Sequence, residues 1–295
     1  MKKINPSEVS ISELHGNLLS SIGPRPIALA STVDGKGRRN LSPFSFFNLF
    51  SAHPPIAIFS PARRVKNNTT KHTYENVKVV PEVVINVVSY EMVQQVSLSS
   101  TEYGEGIDEF IKSGFTPLDS ELVKPARVAE SPVQLECKVK DVIELGKQGG
   151  AGNLIISEIV MIHVDESILD DEGKIDQYKI DLVGRMGKNW YSRSRNGLFE
   201  VQKPLSTLGM GVDHLPEHIR QSNILTGNDL GMLGNVEEMP TVEEVSAYKS
   251  EYLNSLIENV EKSMIHTILH QEAHKKLKDG NVDEAWKILM AENVE

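Results

Sequence analysis

Short runs of β-branched residues dominate the first 165 residues of the chain and predict strands. Five such runs, each bounded by turn residues, cover residues 26–33, 56–60, 83–88, 133–145 and 154–164. Helical spacing is local in this part, at residues 72–77, at 90–100 behind a Ser89 cap, and at 106–112. Asp34-Gly35-Lys36-Gly37 and the looser Gly146–Gly152 segment read as hairpin connections, which indicates antiparallel pairing. Because strands and helices do not alternate regularly, we predict a mainly β barrel with inserted short helices rather than a doubly wound sheet.

After a Gly-rich loop region that follows Pro204, the last part of the chain has a helical period. Thr241 and Glu244 form a capping-box pattern that opens one long predicted helix ending near Gly280. Its apolar stripe consists of Val245, Tyr248, Tyr252, Leu256, Val260, Met264, Ile268 and Leu269. A last short helix beginning at Asn281 contains Trp286. We therefore predict a barrel domain at residues 1–204 and an acidic, mostly helical extension at residues 205–295.

Charge separates the same two parts. The chain of 295 residues has a formal net charge of -10, with 31 Lys and Arg against 41 Asp and Glu. Residues 1–204 hold 24 basic and 25 acidic side chains, whereas residues 205–295 hold 7 and 16. An acidic protein gains little from releasing the counterions of a nucleic acid, so we expect no nucleic-acid partner.

Targeting and redox signals point to the cytoplasm. The longest apolar runs, at residues 54–61 and 83–90, fall far short of the roughly 20 residues that cross a bilayer. No apolar segment follows the basic Met1-Lys2-Lys3 start. The single cysteine, Cys137, forms no internal disulfide and reads as a small buried strand residue. We expect a cytoplasmic protein without a membrane partner.

Common catalytic motifs are missing from the sequence. It contains no phosphate-binding Walker loop, no His-Glu-x-x-His pair, no Gly-x-Ser-x-Gly elbow and no Gly-x-Gly-x-x-Gly after a strand. His266, His270 and His274 would share one helical face, a spacing that allows a metal ion. A polar helix face is the simpler interpretation, so no metal is predicted.

Three segments of the β part suggest a ring site and a phosphate site. Gly23-Pro24-Arg25-Pro26 leads into a strand whose small residues and hydroxyls, Ala30-Ser31-Thr32, let a flat ligand approach the backbone. The next segment mixes aromatic residues with the polar side chains of Asn40, Ser42, Ser45 and Asn48. Arg63, Arg64, Lys71 and Thr73 lie near a predicted helix N-terminus, where phosphate is favoured. Taken singly, each segment is also explained by core aromatic residues or a helix cap.

The order of these segments resembles the flavin reductase-like family, whose members have an FMN-binding split β-barrel. The resemblance spans roughly residues 15–203. Its matching segments are Arg25-Pro26, Ala30-Ser31-Thr32, Asn40 to Ser45, Pro54-Pro55, Lys71-His72-Thr73 with Asn76, Val84-Ile85-Asn86, Val123-Lys124-Pro125, Ala129 to Pro132, Leu135-Glu136-Cys137, Gly184 to Gly187 and Tyr191. One departure is His72, which stands where the family usually has aspartate; the two expected phosphate partners around it, Lys71 and Thr73, remain.

The resemblance implies an FMN site at a homodimer interface. Ala30, Ser31 and Thr32 would run along the isoalloxazine, and Ser45 and Asn48 would lie near its polar edge. Arg63, Lys71 and Thr73 would face the phosphate, and Arg25 the pyrimidine end, where positive charge stabilises reduced flavin. Tyr191 and Trp190 would either cover the ring or close the barrel.

The activity implied is hydride transfer from NADH or NADPH to the flavin, with a monooxygenase or another acceptor as the partner that uses the electrons. His163, near the end of a strand, would touch the nicotinamide carboxamide; a core or surface histidine is the alternative interpretation. Two rival functions are an FMN electron carrier or sensor without a nucleotide site, and, less favoured, a pyridoxamine-phosphate oxidase-like enzyme. The extension at residues 205–295 would cap the flavin cleft or, as we expect, enlarge the dimer interface.

Overall fold

The chain divides into two compact units. The computed structural model describes residues 1–201, 207–258 and 260–293, and its units are Met1–Phe199 and Glu200–Glu295. The boundary predicted between residues 204 and 205 lies outside the described residues. Separate clusters of buried apolar side chains fill the two units, so each has a hydrophobic core of its own.

Eleven strands build the first unit: β1 (Ala28–Val33), β2 (Arg39–Phe44), β3 (Phe47–Ala52), β4 (Pro55–Phe59), β5 (Glu82–Val87), β6 (Pro117–Leu118), β7 (Arg127–Val128), β8 (Val133–Glu144), β9 (Asn153–Val164), β10 (Val183–Arg185) and β11 (Tyr191–Arg193). Seven of them form one sheet in the order β2-β1-β5-β8-β9-β4-β3, with antiparallel neighbours throughout. The remaining four form two small sheets, β6-β7 and β10-β11.

The large sheet curls into a barrel because of one short connection. Strands β2 and β3 are the two edges of the sheet, yet only Ser45 and Phe46 join them. Two residues cannot span a flat seven-stranded sheet, so the sheet bends until its edges are neighbours. Register shifts between Glu136 and Cys137 and between Val139 and Asp141 mark bulges in the long β8-β9 hairpin, and bulges of this kind add the bend and twist needed. The prediction of a split barrel is confirmed.

Strand β1 is buried on both faces. Ala28 and Ala30 belong to the cluster inside the barrel, whereas Leu29 packs with Leu41 and the inserted helices outside it. The predicted strands correspond to β1, β4, β5, β8 and β9, with ends shifted by at most two residues. Strands β2 and β3 were not predicted, because Pro43 and the polar residues around it hide the period-two pattern.

Five helices accompany the strands of the first unit: α1 (Ile11–Ser21), α2 (His72–Val79), α3 (Val93–Ser99), α4 (Glu109–Ser113) and α5 (Gln177–Ile180). Helix α1, capped by the Ser10 side chain on the Glu13 amide, was not predicted. The predicted Ser89 cap is wrong, because Ser89 pairs with Leu182 in a β-bridge and α3 begins only at Val93.

The second unit is helical: α6 (Glu217–Arg220), α7 (Gly227–Leu233), α8 (Val242–Tyr248), α9 (Asn254–Ile257), α10 (Lys262–Lys278) and α11 (Val282–Met290). Buried Trp286 packs with Leu233 and Leu269 and donates its ring N–H to the Leu233 carbonyl at 3.2 Å. The described residues include no helix with the length and apolar character needed to cross a bilayer.

The single long helix predicted after Thr241 is wrong. Its capping box is present, but a π-helical turn at Lys249–Leu253 follows α8, and the backbone is extended at Glu258 and Glu261 before α10 begins. This interruption rotates the buried face, so Leu253 is buried while three members of the predicted stripe are exposed, namely Tyr252, Leu256 and Met264.

Candidate functional site

A polar cleft opens beside β2 in the first unit. One part of it, of about 240 Å³, is lined by His15, Leu19, Ser42, Pro43, Phe44, Ser45, Phe46, Ser60, Ala62, Lys71 and Ser100. A narrower part has Asn40, Thr73, Arg64, Glu102 and Glu109 in its lining. Both parts share Ser42, Lys71 and Ser100, so we name the whole the Ser42–Lys71 cleft. Five predicted site residues lie on it: Asn40, Ser42, Ser45, Lys71 and Thr73.

A buried network of amides and hydroxyls supports the narrow part of the cleft. The Asn40 side chain donates to Thr73 Oγ1 at 3.0 Å and to Thr32 Oγ1 at 3.5 Å. Asn76 donates to the same Thr32 oxygen at 3.1 Å. Because these bonds join β1, β2 and the first turn of α2, they fix the position of Thr73 and of the helix N-terminus.

Two cations at the cleft share one carboxylate. Arg64 Nε lies 2.8 Å and Lys71 Nζ 3.1 Å from Glu102 Oε1. The hydrogen bond from Arg64, followed by that from Lys71, holds the pKa of Glu102 below its usual value. Since Glu102 is 61% exposed, water screens these pairs and a bound anion can replace the carboxylate at small cost.

The structure brings Arg64, not Arg63, into the cleft. Arg63 donates from Nε and Nη2 to the side chain and the carbonyl of Asn68, each at 2.8 Å, and so closes its own loop. Neighbouring residues in an extended segment point to opposite sides, which a count of basic residues does not resolve.

Glu109 is a buried acid in the lining of the narrow part of the cleft. It is only 5% exposed, and its Oε2 accepts a hydrogen bond from the Leu41 amide at 3.0 Å. Burial raises the pKa of Glu109 above the ordinary value, although the Leu41 amide partly opposes this. The sequence analysis missed this residue.

Ala30, Ser31 and Thr32 do not line the Ser42–Lys71 cleft. All three are fully buried, because β1 has β2 on one side and β5 on the other and its side chains fill the space on both faces. The Ser31 hydroxyl is buried with no hydrogen-bond partner in the described part of the chain. Asn48 lies outside the cleft as well, exposed on edge strand β3, where its side chain accepts from the Leu49 amide at 2.8 Å.

Arg25 ties backbone segments together. Its Nη1 donates to the carbonyls of Leu19 and Ile22 at the end of α1, at 2.7 and 2.6 Å, and its Nη2 donates to Met186 at 3.0 Å. These bonds satisfy carbonyls that the helix end leaves free. Burial, and secondarily the charge of Arg185, lowers the pKa of Arg25.

Tyr191 and Trp190 belong to neither the large sheet nor the cleft lining. Tyr191 begins β11, which pairs with β10 in a separate two-stranded sheet, so it does not close the barrel. The Arg185 guanidinium lies 4.6 Å from the centre of the Tyr191 ring, a cation–π contact. Trp190 is 74% exposed and available to cover a ligand.

His163 lies near the end of β9, as predicted, and pairs with an acid. Its Nε2 is 2.7 Å from Oε1 of Glu136, a carboxylate that is fully buried in β8. Burial opposes the charge on Glu136, but amides of Glu121 and Leu122 at 2.8 and 2.7 Å outweigh it and hold the pKa of Glu136 low. His163 is therefore positioned by an ionised partner.

Burial raises the pKa of the neighbouring Cys137 thiol to about 12, so this cysteine is inert.

The cleft fits FMN in the chemistry of its donors. Arg64 and Lys71 offer charge to a phosphate, and Ser42, Ser45 and Ser100 add hydroxyls to the lining. Pro43, Phe44 and Phe46 add apolar surface for a ring. Ser100 and Glu102 also line the cleft but were not predicted as site residues. The only sequence signal for this side of the cleft was the hydroxyl-rich run Ser97 to Thr101 at the end of α3.

Comparisons with known proteins match the first unit of the chain. The model of the flavin reductase like domain matches residues 20–179, which lie within the first unit. An uncharacterized protein of Halalkalibacterium halodurans is 35% identical over 193 residues, covering 65% of this chain and 91% of the relative. One from Aquifex aeolicus is 33% identical, covering 61% and 90%.

Solved structures of similar proteins share the fold. Component B of nitrilotriacetate monooxygenase from Bacillus cereus superposes with a TM-score of 0.63 at 27% identity, covering 69% of this chain and 98% of that one. Flavoredoxin of Desulfovibrio vulgaris (Miyazaki F) gives 0.52 at 26% identity, covering 62% and 91%. The match to the domain model extends over more than half of the chain, and the chain therefore belongs to the flavin reductase-like family.

Proposed function

We propose that the protein binds FMN in the Ser42–Lys71 cleft and catalyses hydride transfer from NADH or NADPH to the flavin. The observation that carries this proposal is the placement of Arg64 and Lys71 in a hydroxyl-lined cleft, where both cations pair with the exposed carboxylate of Glu102. The family supports a flavin cofactor. Two adjacent cations favour a ligand that ends in a phosphate, as FMN does.

Each group in the cleft has a binding role in this proposal. Arg64 and Lys71 exchange Glu102 for the phosphate, with Thr73 donating its hydroxyl from the first turn of α2. Ser42 and Ser45 donate to the polar edge of the ring, and Phe46 covers part of its face. Bound FMN supplies the hydride-accepting chemistry, so the protein needs no nucleophile of its own.

A homodimer is part of the proposal. Phe46, Leu49 and Phe50, on or next to edge strand β3, are 40%, 59% and 64% exposed. An exposed apolar edge strand is a surface that proteins normally cover. Since Phe46 also lines the cleft, a partner subunit on β3 would lie beside the flavin and complete its site.

The electron acceptor is the least defined part of the proposal. The similar protein from Bacillus cereus is named as a monooxygenase component, which supports a monooxygenase as the user of reduced flavin. Such a reaction, with nicotinamide nucleotides as donors, belongs in the cytoplasm.

A second candidate function is electron transfer by tightly held FMN without a nucleotide site. The likeness to a flavoredoxin, at 26% identity, supports it. An anaerobic stopped-flow titration of the FMN-loaded protein with NADH and then NADPH separates the two functions. Fast, saturable bleaching of the flavin band is expected with at least one nucleotide and identifies the donor. Flavin that stays bound and oxidised with both would contradict the reductase and leave electron transfer.

A further inference from the structure

A histidine pair in the second unit faces an acid from the end of the chain. Helix α10 carries His266 and His270 one turn apart, and Glu292 follows α11 in a short 3-10 helix, Ala291–Asn293. His266 Nδ1 lies 2.9 Å from Glu292 Oε2, and the two rings lie 3.9 Å apart between centres. One ligand atom from each of the three residues lies within 4.8 Å of the others.

One ring nitrogen of His270 is buried without a hydrogen-bond partner among the described residues. His270 is fully buried, its Nδ1 lies 2.8 Å from Ser222 Oγ, and its Nε2 has no hydrogen-bond partner among the described residues. If Nδ1 carries the proton, it donates to Ser222 and leaves a lone pair on Nε2. An unpaired lone pair in a buried place is a group that a metal ion satisfies.

We propose that His266, His270 and Glu292 bind one divalent transition-metal ion of the zinc class. Two histidines one helical turn apart are a recurrent zinc pair, and imidazole with carboxylate is a usual ligand set. A tetrahedral zinc ion holds its ligand atoms about 3.3 Å apart. The three ligand atoms already lie within 4.8 Å of one another, and the side chains of His266 and Glu292, 36% and 32% exposed, have room to adjust to this spacing.

The third histidine of the helix face is not part of the site. His274 Nδ1 lies 2.9 Å from Asp229 Oδ2, an oxygen that also accepts from the amide and hydroxyl of Thr226. The helix face therefore divides between a metal pair and an ion pair, a division that the spacing of the histidines alone did not reveal. His274 provides a matched control on the same helix.

The proposed site joins two segments of the second unit. Thr267, Ile268 and Leu269 separate the two histidines, so no acid stands where a zinc protease has its general base. A metal held by α10 and by the segment after α11 joins the end of the chain to its longest helix. Three protein ligands leave one position for water or a further ligand.

Metal binding is tested on the untagged full-length protein after treatment with a chelator. Calorimetric titration with Zn²⁺ is expected to show about one ion per chain, and Co²⁺ to give the visible bands of a tetrahedral site. His266→Gln and Glu292→Gln are each expected to weaken Zn²⁺ binding at least about tenfold, since even the second-shell partners of a metal affect affinity by that much. His274→Gln is expected to bind as the wild type does.

Three results would overturn the proposal: no saturable binding near one ion per chain, unchanged binding in both His266→Gln and Glu292→Gln, or an equal loss in His274→Gln. Circular dichroism of each variant without metal identifies misfolding. If His266→Gln misfolds, Glu292→Gln, which alters an exposed residue, decides the result. Zn²⁺ should also raise the melting temperature of the wild type and of His274→Gln, but not that of the two ligand variants.

Discussion

In the cleft of the first unit, Lys71 and Arg64 share the exposed carboxylate of Glu102, whereas in the second unit the ring of His270 is fully buried and neutral. The first arrangement suits an anion that binds reversibly, because exposed ion pairs exchange partners at a small cost in free energy. The second arrangement suits a tightly bound cation, because a buried lone pair without a hydrogen-bond partner is stabilised by a permanent ligand. The comparison teaches that a pair of exposed cations and a buried imidazole beside a carboxylate favour ligands of opposite sign.

The largest expected effect tests whether the two units fold independently. Trp286→Ala removes a buried ring from the core of the second unit and should cost about 3–5 kcal/mol of its stability. Denaturation followed by circular dichroism should show an earlier transition, while FMN titration, monitored by flavin fluorescence, stays unchanged. Trp190→Ala, at a 74% exposed position, is the control for stability. Loss of FMN binding in Trp286→Ala would show that the units depend on each other.

The second effect concerns the anion site. Lys71→Gln should weaken FMN binding by about tenfold to a hundredfold, because a hydrogen bond from a charged donor contributes about 1.5–3 kcal/mol. Equilibrium titration at low and high salt measures the loss, which should shrink as salt rises. Lys66→Gln changes an exposed lysine of the same basic segment and should bind FMN normally. Equal losses in both variants would indicate general charge attraction rather than this cleft.

A smaller effect concerns the pH dependence of stability through Glu109. Its pKa in the folded protein is raised above 4.5, the value expected without burial, so the folded state holds the proton more tightly. The free energy of unfolding that this group contributes is present below about pH 4.5 and is lost as pH rises through the folded pKa. Glu109→Gln keeps an acceptor for the Leu41 amide and should flatten that decline.

Denaturant titrations at several pH values measure this slope. Glu105→Gln is the control, because Glu105 is exposed and the hydrogen bond from Arg38 lowers its pKa, which gives no decline with rising pH. A decline that persists unchanged in Glu109→Gln would contradict the assignment.

The fold was largely predictable from the chain, whereas the direction of individual side chains was not. β-branched runs located β5, β8 and β9, and the resemblance located Lys71 and Thr73, which the structure places on the cleft. By contrast, whether Arg63 or Arg64 faces the cleft depends on a single residue of register. Composition carries no information about it.

Contacts between residues far apart in the sequence could not be predicted either. Glu292 approaches His266 across 26 positions, and Glu109 reaches the Leu41 amide across 68. Hydrophobic periodicity also failed to predict where α9 ends. Apolar residues continue at helical spacing on both sides of the break at Glu258, so the pattern resembles that of one continuous helix. Only the folded chain shows these features, since tertiary packing creates them.

The smallest expected effect tests the idea that Glu102 occupies the anion site reversibly. Glu102→Gln removes the carboxylate that pairs with Arg64 and Lys71, and with it a negative charge beside the phosphate position. FMN binding should tighten by about twofold to fivefold at low salt, the range expected for an exposed pair, and the gain should disappear at high salt. Glu105→Gln, whose carboxylate pairs with Arg38 outside the cleft, should leave the affinity unchanged. Weaker binding in Glu102→Gln would mean that Glu102 positions the two cations for the ligand, and the cleft would then resemble the fixed site of the second unit rather than contrast with it.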